Sequence, residues 1–245
     1  MLLETQNLSK SFDGVKIIED INLTLNNNEI VGLLGVSGVG KSTLFNLLSG
    51  LLLPDSGKIL LNGQDITGKT GIISYMQQKD LLLPHKKIAD NIALPLVLKG
   101  IKRKKAHEMV LKKLPEFGLE GTEHKYPDQL SGGMRQRAAL LRTFFFNSRI
   151  SLLDEPFSSL DTITKTQLHL WFLSIISKIN MSCILITHDI DEAIFLSDRI
   201  YIMSGSPGRL TSEITVGASR PRDTGFTTSE EFMRIKKEIL CCLHF

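Results

Sequence analysis

Cysteine is scarce in this sequence: only Cys183, Cys241 and Cys242 occur. Three thiols without metal-type spacing make neither a disulfide framework nor a zinc cage, and they fit a reducing compartment. Cys183 lies in an apolar run and reads as a small core residue. No run approaches the ~18 consecutive apolar residues that a membrane-spanning helix needs. The greasiest pieces, Leu47–Leu53 and Cys183–Ile186, are short. The opening Met1-Leu2-Leu3-Glu4 has no basic region followed by an apolar core, so no secretory signal is expected and the chain is expected in the cytosol. An excess of one charge is missing too. Lys+Arg number 29 against 26 Asp+Glu, a formal +3, too balanced for nucleic-acid binding by bulk charge. There are no internal repeats and no low-complexity tracts.

What is present is enough chain, 245 residues, for one large domain or one domain with an insertion. Residues 2–33 read as antiparallel strands, with strand-like runs at Val15–Ile18 and Ile21–Leu25. Glu29–Leu34 is a continuous apolar strand ending in a glycine-rich turn, and a helix follows from Lys41 to about Ser49. Lys58–Leu61 and Gly71–Tyr75 read as further strands. From about 79 to 127 the character becomes helical, with pieces at Ile88–Leu98 and Lys102–Phe117. The basic run Lys102-Arg103-Lys104-Lys105 between them reads as a solvated helix face. Helix and strand then alternate from Ser131 to Met203, the pattern of a mostly parallel sheet. Ser229–Leu243 carries Phe232, Ile235, Ile239, Leu240 and Leu243 at the spacing of one amphipathic helix. Before it, 220–225 reads as a loop.

Three motifs carry chemistry. Gly35-Val36-Ser37-Gly38-Val39-Gly40-Lys41-Ser42 matches G-x-x-x-x-G-K-[ST] in the required strand–loop–helix context. Its glycines let successive N–H groups face phosphate oxygens, aided by the positive end of the following helix. Lys41 is expected on the β- and γ-phosphates and the Ser42 hydroxyl on Mg²⁺, with Thr43 next on the helix counted in the ATP site. Ile150–Leu153 is a short apolar strand ending in Asp154-Glu155. An Asp there helps hold Mg²⁺, and the neighbouring Glu suits a general base for water. Ser151 is out of place in that strand. The third motif is Leu130-Ser131-Gly132-Gly133-Met134-Arg135-Gln136-Arg137, beginning 24 residues before Asp154 (154 − 130). Ser131 suits a helix N-cap, and a helix start with two glycines suits a phosphate.

Together these motifs resemble the nucleotide-binding subunit of an ABC transporter, from about Leu2 to Met203. The resemblance implies an α/β fold: a P-loop NTPase ABC cassette with a mostly parallel core sheet, an antiparallel N-terminal β-subdomain and an inserted α-helical subdomain. Residues 1–217 would form the ATPase domain, with the helical insertion at about 79–127. Residues 218–245 would form a C-terminal loop and amphipathic helix. By motif, Phe12 resembles the aromatic that stacks on adenine, although a strand-core role suits it too. Gln78, preferred to Gln77, resembles the Q-loop glutamine that touches Mg²⁺. Ser158-Ser159-Leu160-Asp161 resembles the D-loop. His188, 34 residues after Asp154 (188 − 154), resembles the switch histidine at the γ-phosphate. The catalytic set expected is Glu155, His188 and Lys41. Ser131, Gly132 and Gly133 would complete the ATP site of a second cassette in a head-to-tail homodimer.

A lone cassette implies integral membrane permease subunits as partners, an extracytoplasmic solute-binding protein in the complex, no nucleic acid, and a peripheral place on the cytoplasmic face of the membrane. Leu81–Pro84, Asp90–Leu96 and Arg220–Asp223 resemble the nitrate/sulfonate/taurine importer group, which includes carriers of thiamine precursors. The competing reading is a soluble ABC ATPase acting on nucleic acid or a protein complex, which would need a basic, salt-sensitive surface.

Overall fold

The computed structural model describes residues 1–146, 149–158, 162–220 and 222–243. In chain order the strands are β1 (Leu3–Phe12), β2 (Val15–Ile21), β3 (Thr24–Leu25), β4 (Ile30–Leu34), β5 (Ser56–Leu61), β6 (Gln64–Asp65), β7 (Ser74–Met76), β8 (Ile150–Asp154), β9 (Ser182–Ile186), β10 (Arg199–Ser204) and β11 (Arg209–Thr215). The helices are α1 (Lys41–Leu48), α2 (Ile88–Leu98), α3 (Arg103–Lys113), α4 (Gly132–Phe145), α5 (Thr162–Ile179), α6 (Ile190–Leu196) and α7 (Glu230–Cys242).

Two sheets result. An antiparallel one runs β2-β1-β5-β6, with β3 also on β1. The other runs β11-β10-β4-β9-β8-β7 and is parallel except for its β10–β11 edge. The fold is thus the α/β arrangement expected. Strands β4, β8 and β9 are buried along their whole length. That explains their near-continuous apolar sequence, since a parallel sheet is covered on both faces. Alternation divides them between two cores. Val31, Leu33, Leu152 and Ile184 face α1 and the antiparallel sheet. Ile30, Leu153, Cys183 and Leu185 face the helical side. A third core joins Ile200, Ile202, α6 and α7.

The break read between Val15–Ile18 and Ile21–Leu25 falls instead after Ile21, since β2 runs unbroken from Val15 to Ile21 and β3 is only Thr24–Leu25. Three other expected elements are revised, each for a local reason. The helix read over 102–117 stops at Lys113, and Pro115–Phe117 form a 3-10 turn, because proline lacks the N–H that the helix ladder needs. The strand read at 71–75 begins only at Ser74, after Gly71 turns the chain at φ +78°. The tail helix starts at Glu230, with the Ser229 hydroxyl accepting from Phe232 N at 3.2 Å as N-cap. Its Phe232, Ile235 and Ile239 are core residues, while Leu240 and Leu243 are half-buried.

The helical side extends past residue 127, since α4 packs on α2 and shares their core. Of the three phenylalanines ending α4, Phe145 is in that core and Phe144 packs against it. Ser151 has a structural reason: its hydroxyl lies 2.7 Å from the Ser74 hydroxyl on the neighbouring strand, which in turn donates to Ile150 O. Burial pushes the Cys183 thiol up to about 12, so it is an inert core group.

Candidate active site

The strand β4 leads through residues 35–40 into α1, and the loop is shaped by close packing. A Cβ on Gly35 would meet Met203 O at 2.4 Å, and one on Gly40, at φ +109°, would meet the Ile18 side chain at 2.4 Å. Only glycine lets the backbone curl here. Lys41 is buried at the start of α1. Its ammonium donates to Gly35 O at 2.7 Å and Val36 O at 3.0 Å. Burial pulls its pKa down, against the attraction of Glu155 and Asp154. A desolvated cation tied to its own loop is a seat for an anion.

The acids sit opposite. Asp154 ends β8, and its Oδ2 accepts from the Ser42 hydroxyl and the Tyr75 hydroxyl, both at 3.2 Å. Burial raises its pKa despite those bonds. Tyr75 is held as the phenol, its pKa raised by burial and by Asp154. Glu155 has a left-handed backbone, φ +46°, pinned by its N–H donating to Ile186 O at 3.0 Å. Its two carboxylate oxygens have separate neighbours: Gln78 Nε2 donates to Oε2 at 2.9 Å, and His188 Nδ1 lies 3.2 Å from Oε1. The cleft these groups share is about 480 Å³, lined by Ser37, Gly38, Gly40, Lys41, Ser42, Thr43, Gln78, Asp154, Glu155 and His188, with Ile17 and Ile186 as apolar walls. A phosphate seat, a hydroxyl beside a strand-end carboxylate, and a second carboxylate oriented at both oxygens suit phosphoryl transfer to water.

Comparison with known proteins agrees with this chemistry. Residues 18–158 match the ABC transporter family. The formylaminopyrimidine import ATP-binding protein ThiZ of Halalkalibacterium halodurans is 44% identical over 229 residues, covering 93% of this chain and 90% of that protein. The taurine import ATP-binding protein TauB of Escherichia coli is 36% identical over 237 residues, 97% of this chain and 91% of TauB. The chain belongs to the ABC transporter family. A dimeric ATP-binding cassette, MJ0796, in a post-hydrolysis state bound to ADP and Pi, has a TM-score of 0.77 at 25% identity, covering 89% of this chain and all of that one. The cbiO1 protein of Clostridium perfringens, at 0.81 and 23% identity over 99% of this chain and 97% of its own, supports the fold. This ABC cassette therefore binds nucleotide and hydrolyses ATP.

Other expected residues of the cassette lie apart from the cleft. Ser131 caps α4, its hydroxyl accepting from Met134 N at 3.3 Å, and is exposed. Gly132 and Gly133 open that helix; none of the three lines the cleft. Phe12 is 44% exposed at the end of β1, with Lys10 Nζ 5.5 Å from its ring centre, so it is not a core residue. Val36 is exposed and Val39 buried beneath the loop. Asp161 lies outside the described residues, while the Ser158 hydroxyl donates to Glu155 O at 3.0 Å. Sequence reasoning missed Tyr75 as a neighbour of Asp154. Its signal is the pairing of Tyr75 with Leu152 in parallel strands, a register that no local pattern reveals.

Proposed function

We propose that this cassette energises a membrane importer of a small solute, of the nitrate/sulfonate/taurine or thiamine-precursor kind, as one of a head-to-tail pair of cassettes. The observation that carries the reading is the span of the likeness: import ATP-binding proteins align with 93% and 97% of the chain. No helix among the described residues is long and apolar enough to cross a membrane, so the proposed place is peripheral, on permease subunits at the cytoplasmic face. An extracytoplasmic solute-binding protein completes the proposed complex. The basic run Lys102–Lys105 at the start of α3 is exposed, with Arg103 paired to Asp90 at 2.6 Å, which suits a solvated helix face.

Within the cleft, Lys41 exchanges its two carbonyl partners for β- and γ-phosphate oxygens, a charge-assisted replacement. The donors Ser42, Asp154 and Gln78 fit magnesium: all offer hard oxygens. Among the described residues no three His, Cys, Asp or Glu form a metal cage, so substrate phosphates would complete the shell. Magnesium, when bound, offsets phosphate charge. Glu155 takes the proton of the attacking water as its oxygen bonds to the γ-phosphorus and the bond to the ADP oxygen breaks. Gln78 and His188 hold that carboxylate, one at each oxygen. The proposed trans groups are Ser131, Gly132 and Gly133 of the second cassette, with Phe12 proposed at the adenine.

A pull-down tests the importer reading. Tagged protein is captured from its native membranes with ATP and Mg²⁺, and a multi-span membrane protein is expected with it. Nucleic acid or a soluble complex without a permease would overturn the reading.

A further inference from the structure

Charge is shared unevenly between the two sides of the cassette. Residues 79–127 hold 11 of the 29 Lys and Arg but 6 of the 26 Asp and Glu, so they carry +5 (11 − 6) while the rest of the chain carries −2 (18 − 20). The excess gathers where α2 turns into α3. The N–H of Gly100 donates to Val97 O and that of Ile101 to Leu96 O, a tight turn with Gly100 at φ +85°. It sets the end of α2 beside the start of α3. Lys99, Lys102, Arg103, Lys104 and Lys105 are all exposed there. Arg103 pairs with Asp90 at 2.6 Å, and Lys99 Nζ lies 4.7 Å from the Phe146 ring centre. Lys102, Lys104 and Lys105 have no acidic partner among the described residues. The first turn of α3 holds no acid, and its start has no side-chain cap. Cations there oppose the helix dipole, which favours acids at a helix start. For Lys104 and Lys105 that preference is given up without any internal contact in return, which points to a use outside the chain. Beside them Leu98 is 79% exposed, more than any other large apolar side chain among the described residues, and Val97 is partly exposed too.

A tip that joins unpaired lysines to bare aliphatic side chains suits an anionic lipid surface, with phosphates at the ammoniums and leucine at the boundary of headgroup and acyl chain. We propose that the α2–α3 turn, through Lys102, Lys104, Lys105 and Leu98, contacts the anionic headgroups of the cytoplasmic leaflet. The proposal rests on the peripheral place proposed above and adds a direct lipid contact to the one with the permease. Nucleic acid is the poorer match. Lysine is a hydrated point charge without the planar fork that reads bases, and the one arginine of the run is engaged by Asp90. The nearby Phe146 ring is covered by Lys99 and so is not bare for a base to stack on. An electrostatic contact of this kind fades within a Debye length, about 8 Å at physiological salt. It therefore orients the cassette on the membrane and leaves the chemistry of the cleft alone.

The test is flotation of the purified chain with vesicles of equal parts phosphatidylcholine and phosphatidylglycerol, against vesicles of phosphatidylcholine alone. Wild type is expected to float with the anionic vesicles only, and less as salt rises. Each lysine neutralised is expected to weaken the partition coefficient about fivefold, so the combined Lys102→Gln, Lys104→Gln, Lys105→Gln variant loses about 10²-fold. Leu98→Ser is expected to lose about tenfold. A control variant makes the same charge change at Lys58, Lys178 and Lys237, which are exposed elsewhere, and is expected to stay within about threefold of wild type. All these side chains are on the surface, so ATPase turnover in solution should match wild type and report an intact fold. No flotation of wild type with anionic vesicles, equal flotation with both kinds, or an equal loss in the control variant overturns the proposal. So does a wild-type chain that leaves anionic vesicles for duplex DNA added to the same mixture. Flotation involves no permease, so its failure overturns the lipid contact and leaves the importer reading standing. A pull-down without a permease overturns the importer reading alone.

Discussion

Two turns in this cassette open a helix with small residues, and they differ in what surrounds them. The 35–42 loop is closed in on itself: Lys41 is buried and bonded to two carbonyls of its own loop, with Asp154 within reach of Ser42. The 130–133 turn faces outward: Ser131 is exposed and its hydroxyl accepts from its own helix. Both present helix N-termini suited to phosphate, but only the first has acids, amide and imidazole gathered around it. One chain thus carries a chemically complete half and a bare half, and in the proposed reading a second cassette completes the bare one.

The complete half depends most heavily on Glu155. Glu155→Gln keeps the side chain's size and removes its ability to take a proton. Phosphate release is expected to fall by about 10²- to 10⁴-fold, while nucleotide affinity stays within about threefold. Turnover near wild type would mean that the complete half lacks the base assigned to it. A smaller effect on binding, but a full one on assembly, is expected from Ser131→Arg. Its bulky cation sits on the bare half, so monomer nucleotide affinity should hold while ATP-dependent dimerisation, read by light scattering in the Glu155→Gln background, disappears. A monomer that binds ATP poorly after Ser131→Arg would show that the turn belongs to the cis site.

The two halves also differ in how legible they are in sequence. The loop and the strand-end acids are local: spacing of glycines, lysine and serine, then Asp154-Glu155 at the end of an apolar strand, suffices to expect their neighbourhood. The capping role of Ser131 is local as well. Contacts that depend on register between distant strands are not local, and Tyr75 beside Asp154 was hidden for that reason. So was Arg142 of α4, whose Nη1 donates to Leu81 O at 2.8 Å across 61 residues of sequence. Arg222 is a similar case. It lies in a segment read structurally as a loop, yet it is 3% exposed and donates to Ile194, Phe195 and Ser197 carbonyls at the end of α6. Those are the orphan acceptors of a helix C-terminus, and which helix end a loop arginine will reach is decided by the tertiary fold.

The smallest expected effect, on stability, concerns Asp154 and tells whether the complete half is at ease without its ligand. Its pKa is raised in the fold by burial. An acid with a raised folded-state pKa costs stability when ionised: the cost is present above the folded pKa and vanishes below the ordinary carboxylate value near 4. Asp154→Asn removes the charge while leaving an oxygen to accept from Ser42 and Tyr75. At neutral pH the nucleotide-free variant should therefore melt higher than wild type, by about 2–4 °C for each 1 kcal/mol of cost removed in a domain of this size. The gain is offset in part by Lys41, which loses an attractive neighbour. With Mg-ATP the order should reverse, since the variant gives up an anionic ligand for the cation and its ligand-induced rise in melting temperature shrinks. A nucleotide-free variant that melts lower than wild type would show that the attraction of Lys41 and the charge's strengthening of the bonds from Ser42 and Tyr75 already outweigh its burial. In that case the complete half is settled before nucleotide arrives, and the contrast with the bare turn is one of exposure alone. A higher melting point would show instead that the complete half is itself unsettled until a cation and phosphates arrive.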